Sequence, residues 1–166
     1  ISIFIRNLTG LFSTQIYVVG FGDDPDFAIR MFRTNSVVER WFKERIQFGK
    51  PIAGFQLQQK KLAEMITEIT KAQLLALRLG QLKNENKAST AQISMAKRNN
   101  VEIALNIARE ARQIHGGMGI TSEYSMMRHM ANLESVITYE GTHDIHLLIT
   151  GMDVTGIPAF ARDLPK

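Results

Sequence analysis

From residue 53 to residue 155 the apolar residues of this chain recur at threes and fours. No other feature constrains the fold as much. Leu57, Met65, Ile69, Ala72, Leu75 and Leu79 form one such row, with polar neighbours between them. Side chains three and four apart share a helical face, so the row predicts a helix from about Ala53 to Asn86. Gly80 is tolerated inside it at about 1 kcal/mol relative to alanine. "NENKAST" is polar and predicts a turn. Ile93, Ala96, Val101, Ala104, Leu105 and Ala108 predict a second long helix from about Ser89 to Ile114. "HGGMG" at 115–119 ends it, because glycine accepts the left-handed conformation common just past a helix end. A shorter helix is expected from about Ser122 to Tyr139-Glu140-Gly141, and another from about Thr142 to Thr155.

Upstream, "DDPD" at 23–26 reads as a helix start. Asp24 caps it, Pro25 takes the first helical position, and Asp26 suits the positive end of the dipole. That helix is expected to run to about Gln47, with Phe27, Met31, Val38, Trp41 and Phe42 as its apolar contacts and "FGKP" as its stop. Before it, Ile1, Ile3, Ile5 and then Ile16 and Val18 alternate as in two short strands around "NLTG". Long helices joined by short turns predict an all-α protein, an antiparallel, up-and-down bundle of the four-helix type. Residues 38–166 would form the helical domain and residues 1–37 an unassigned segment leading into its first helix.

Composition closes several other routes. The 166 residues suffice for one domain with a real core. With no cysteine there are no disulfides, thiolate metal sites or cysteine nucleophiles. The net charge of +4 comes from scattered basic residues without a long run, which argues against nucleic-acid binding. No uninterrupted apolar run reaches about 18 residues, so no membrane span is expected. The apolar first stretch is broken by Arg6, Asn7, Thr9, Gly10 and Gln15 and lacks the layout of a signal peptide. The chain opens Ile1-Ser2 without an initiator methionine, which predicts a fragment or a processed product.

The densest chemistry lies in "TYEGTHDIH" at 138–146. Glu140 precedes Gly141 at a helix junction, where a glutamate can simply cap the helix or favour its dipole. His143 and His146 are three apart and can share a helical face, with Asp144 nearby. No third ligand stands at the usual spacing, so structural histidines are expected and no metal. "GGMGIT" follows a helix rather than a strand and lacks the full glycine spacing, so it is not a Rossmann loop.

Four segments carry a resemblance: "RIQFGKPIAGFQLQQKKLAEMITEIT", "KRNN", "ARQIHGGMGI" and "RHMANLESVITYEGTHDIHLLITGMDVTGIPAF". Together they resemble the C-terminal helical domain of the acyl-CoA dehydrogenase family, and its glutaryl-CoA branch in particular, over about residues 41–160. The resemblance implies an FAD enzyme that oxidises an acyl-CoA, here glutaryl-CoA with decarboxylation to crotonyl-CoA. It further implies electron transfer to an electron-transfer flavoprotein, a homotetramer, and a bacterial cytoplasmic or mitochondrial matrix location. Glu140 is implied as the base that takes the α-proton, while a hydride leaves the β-carbon. The glutamate's own N–H and a flavin hydroxyl would hold the thioester carbonyl. Gly141 would give the thioester room.

For FAD the resemblance implies Arg45 and Gln56, and the loop Gln113, Ile114, His115, Gly116 and Gly117 reaching the cofactor of a neighbouring subunit. Thr142, His143 and Asp144 would meet the chain's own flavin, and Phe160 would line it. The chain departs from the family pattern at His115, usually aliphatic, at Met118, often asparagine, and at Met152, usually basic. Residues 1–37 do not align, and the family's other two domains have no counterpart in the sequence. The chain alone is therefore expected to be inactive. Two rival readings remain open: a non-catalytic helical assembly module, and a dehydrogenase for a different acyl-CoA.

Overall fold

The structure, a computed structural model, describes residues 38–160. The expected strands near "NLTG" and the "DDPD" helix start lie outside these residues. Helical backbone at 38–44 leads into a two-stranded hairpin, β1 (Ile46–Gln47) paired antiparallel with β2 (Lys50–Pro51). A 3-10 turn, Ile52–Gly54, precedes α1 (Gln56–Asn84). Then follow α2 (Thr90–Ile114), a second 3-10 turn at Gly116–Ile120, α3 (Met126–Thr138) and α4 (His143–Thr155).

Three expected boundaries move, each for a local reason. The first helix stops at residue 44 instead of Gln47. Phe48 (φ 51°) and Gly49 (φ 79°) form the hairpin turn, two successive positive φ angles whose twist matches paired strands. Pro51 also favours extended backbone before it. The next helix starts at Gln56, because Ala53 belongs to the 3-10 turn. The Ser122 start shifts to Met126. There the Ser125 hydroxyl pairs with His129 Nε2 at 3.0 Å and caps no backbone N–H.

The bundle is organised around α2, which packs against α1, α3 and α4. Its buried face runs from Ala91 to Ile114, and alanine is its commonest residue, so neighbours approach closely along it. Ile107, Ala111 and Ile114 meet Val38, Phe42, Met65, Ile69 and Met126 in the main core. Ala104, Leu105 and Ala108 meet Leu133 of α3. Asn100, buried, donates from Nδ2 to the Ala72 carbonyl of α1 at 3.2 Å and so satisfies itself while fixing the α1–α2 register. Ser89 opens α2 with a reciprocal cap. Its hydroxyl accepts from Gln92 N–H at 3.2 Å, and the Gln92 side chain accepts from Ser89 N–H at 2.9 Å.

Candidate active site at the junction of α3 and α4

Glu140 and Gly141 are the short connection between α3 and α4. Glu140 has φ 52° and Gly141 φ 91°, so a non-glycine residue is held in the left-handed region. Such backbone costs of order 1–3 kcal/mol and persists only where the surroundings enforce it. Two neighbours enforce it here. From α2, Lys97 reaches under the junction and donates from Nζ to the Tyr139 carbonyl at 2.7 Å and the Gly141 carbonyl at 2.5 Å. From α4, the His146 ring packs so closely that a Cβ on Gly141 would fall 2.8 Å from its Nε2. Thr142 then caps α4, its hydroxyl accepting from Ile145 N–H at 3.3 Å.

These contacts set the direction of the remaining polar groups. Peptide bonds among the described residues are trans. In a trans peptide the C=O and the following N–H point opposite ways. With the Tyr139 and Gly141 carbonyls turned inward to Lys97, the N–H groups of Glu140 and Thr142 point away from it. Neither donates to an acceptor among the described residues. Glu140 itself is exposed.

The ground beneath this surface is dry. Lys97 is 6% exposed; burial lowers its pKa, and the nearby Glu140 charge acts against that shift. His146 is buried, and its pKa is lowered by burial first and by the Lys97 charge second. The Glu140 and Gly141 carbonyls near the ring offset part of this. Neither ring nitrogen of His146 makes a hydrogen bond of good geometry. His143 faces another way, with Nε2 3.7 Å from Glu102 Oε2 of α2. His143 and His146 therefore do not converge, and no three metal-ligating side chains come together among the described residues.

Arg45, Gln113, Gly116 and Gly117 gather at the far end of α2. Arg45, just past the first helical segment, lies with its guanidinium 5.7 Å from the centre of the Trp41 ring. In the amide orientation that satisfies both groups, Gln47 Oε1 accepts from Arg45 Nη2 at 2.7 Å. Gln113 is exposed and accepts from Lys61 Nζ at 3.2 Å. Gly116 and Gly117 are exposed, and a Cβ on either would meet nothing within 4 Å. Gln56 opens α1 on the surface, and Phe160 is half-exposed.

Ile114 and His115 differ from the expectation in one respect: their side chains point into the core, so any contact of theirs with a cofactor is made by backbone. The His115 ring stacks on Trp41 with centroids 4.9 Å apart and packs against Tyr124. Its Nδ1 donates to the Ala111 carbonyl at 2.7 Å, which leaves Nε2 as a lone pair, and burial lowers its pKa.

His115 lies 18 positions beyond Lys97, about 27 Å along the helical axis at 1.5 Å per residue. The junction at Glu140 and the Arg45–Gly117 cluster are thus two separate surfaces. Both fit parts of a flavin dinucleotide by their donor sets. The first offers outward N–H groups at the start of a helix, and the second a guanidinium beside glycines with open space above them. Sequence reasoning gave no site role to Lys97 or Tyr124, and named Trp41 only as an apolar contact, which its packing against the main core bears out. A lysine at the apolar period of α2 was the one available signal.

Comparison with known proteins agrees with this architecture. The family described as acyl-CoA dehydrogenase, C-terminal domain, matches residues 28–155. A short-chain-specific acyl-CoA dehydrogenase of Megasphaera elsdenii is 39% identical over 109 residues, covering 66% of this chain and 28% of its own. The crystal structure of a glutaryl-CoA dehydrogenase from Mycobacterium smegmatis superposes with a TM-score of 0.78 at 46% identity, over 81% of this chain and 35% of that one. Another, in complex with FADH2, gives a TM-score of 0.79 at 43% identity, over 86% and 36%. This chain belongs to the acyl-CoA dehydrogenase family and comprises its all-α C-terminal domain. It spans about a third of the length of these relatives.

Proposed function

We propose that this chain is the catalytic C-terminal domain of an FAD-dependent acyl-CoA dehydrogenase that oxidises glutaryl-CoA and releases crotonyl-CoA after decarboxylation. The observation that carries the reading is the Glu140 junction. One residue there combines an exposed carboxylate with an outward N–H that has no partner among the described residues. A carboxylate removes the weakly acidic α-proton, and an N–H beside it stabilises the charge that develops on the thioester oxygen. Bound FAD supplies the oxidant that accepts the β-hydride. Glu140 holds the α-proton, its own N–H orients the carbonyl, and Gly141 keeps the approach clear of a side chain. The glutaryl preference is supported by the 46% identity to the mycobacterial enzyme.

The separation of the two surfaces along α2 supports a division of labour. Thr142, His143 and Asp144 serve the chain's own cofactor, while Arg45, Gln113 and the glycine loop serve that of a neighbouring copy. Leu57, Ile66, Leu74 and Val154 are exposed apolar side chains suited to assembly contacts in a homotetramer, with an electron-transfer flavoprotein as acceptor. Because Glu140 is open to solvent, the carboxylate must be covered by the cofactor, the acyl chain or other domains before it works as a base. These 166 residues alone are therefore expected not to turn over.

The test is flavin reduction by excess glutaryl-CoA in the complete enzyme, followed by stopped flow. Glu140→Gln is nearly isosteric and leaves the N–H in place, so FAD and acyl-CoA binding should persist while reduction slows about 10²–10⁴-fold. Reduction within a few-fold of wild type would remove Glu140 from the role of base. A colourless wild-type protein would favour the assembly-module reading, and a preference for butyryl-CoA over glutaryl-CoA a different acyl chain.

A further inference from the structure

Lys97 has no part in the chemistry above, yet it is the group most committed to the Glu140 junction. It projects from the second turn of α2, a helix whose buried face is otherwise mostly apolar. An aliphatic side chain would occupy that position without the cost of taking an ammonium group out of water. Packing therefore does not account for a lysine. What the lysine adds is a donor that two carbonyls share: Tyr139 at 2.7 Å and Gly141 at 2.5 Å, the residues on either side of Glu140. Both carbonyls are thereby tied to one nitrogen, and Glu140 is left between two anchored neighbours at φ 52°.

We propose that Lys97 is the positioning residue of this site: by drawing the Tyr139 and Gly141 carbonyls into the bundle, it turns the Glu140 N–H outward, toward the carbonyl of an acyl thioester. The proposal rests on the dehydrogenase reading only for the identity of that carbonyl; the clamp itself is a property of this chain. Lys97 touches neither substrate nor cofactor in this scheme. Its effect is on ligands that carry a carbonyl at the thioester position, and ligands that lack one should be indifferent to it.

The experiment compares two probes on the complete, flavin-loaded enzyme: crotonyl-CoA, and the matching thioether, S-but-2-enyl-CoA, which has no carbonyl. Wild type should prefer the thioester by about tenfold, the scale of one well-placed hydrogen bond. Lys97→Met should bind the thioether as wild type does and lose the thioester preference. Lys97→Gln, which keeps a donor without the charge, should retain part of it. A Lys97→Met protein with the full wild-type preference would overturn the proposal. A wild-type enzyme with no preference would instead overturn the dehydrogenase reading. An independent measurement on the wild-type 166-residue chain needs no variant and no ligand. Scalar couplings from Lys97 Nζ to the Tyr139 and Gly141 carbonyl carbons should be visible by nuclear magnetic resonance. Their absence overturns the clamp even where Lys97→Met fails to fold.

Discussion

At the scale of single residues, the glycines of the two short connections have unlike roles. A Cβ on Gly119 would fall 2.1 Å from the Arg112 carbonyl oxygen, so this glycine is required by packing between α2 and the 3-10 turn. Gly116 and Gly117, three and two positions earlier, face open space. Gly141 combines both constraints, a φ of 91° and a His146 ring at 2.8 Å from its missing Cβ. The ring is wedged in the core and cannot swing aside freely. Gly141→Ala is therefore expected to lose about 1–3 kcal/mol of stability, from backbone strain and overpacking together. Gly117→Ala should stay within about 0.5 kcal/mol of wild type. Urea midpoints of the two variants check this, and equal midpoints would contradict it. "GGMG" and "YEGT" read alike as helix stops in sequence. Only the contacts separate a glycine that fills a tight place from one that leaves a place open.

At the scale of elements, α2 decides the geometry of the site. It carries Lys97 to the junction at one end and ends in the Trp41–His115–Tyr124 stack at the other. Its start is set by the Ser89–Gln92 cap, and Lys97 sits two turns inside that start. Ser89→Ala removes an acceptor for the Gln92 N–H and should cost about 1 kcal/mol. Because the cap is local, the loss should appear as faster amide exchange in the first turn of α2, while Ala104 to Ala111 stay protected up to global unfolding. Unchanged exchange at Gln92 and its neighbours would show that the cap contributes nothing. The period of α2 was legible without a structure, and so was its stop near residue 115. The hairpin at 46–51 was not, since "FGKP" reads only as a helix stop and the turn depends on Phe48 adopting a positive φ.

At the scale of the whole molecule, two of the four histidines are buried in the bundle and both have lowered pKa values, for which burial is the first cause. The folded state therefore holds fewer protons than the unfolded chain near pH 6. The sign follows: these groups leave stability intact above the unfolded value of about 6.5 and remove it as pH falls through 6.5 toward the lowered folded values. The melting temperature should be level from pH 8 to about 7 and decline from there to about 5.5, above the range in which most carboxylates titrate. A flat profile across that window would mean that neither ring is held neutral. His146 is the more consequential of the two. Its protonation would place a second cation beside Lys97 directly under Glu140, so the junction should loosen before the bundle melts.

The sequence by itself determined the all-α class and the approximate spans of four helices, and it placed Glu140 at a helix junction, because periodicity, glycine stops and the "YEGTHDIH" motif are local properties of the chain. The family resemblance, and no local rule, singled out Arg45, Gln113 and the glycines as candidate cofactor contacts. Tertiary structure decided the rest. Residues 97 and 140 are 43 positions apart, and no local rule pairs a lysine inside a helix with the carbonyls of a distant turn. The inward course of the His115 side chain, the parting of His143 from His146, and the outward N–H groups of Glu140 and Thr142 follow from the same cause. Each is set by which buried groups must find partners once α2 is enclosed by its neighbours, and that condition exists only in the packed bundle.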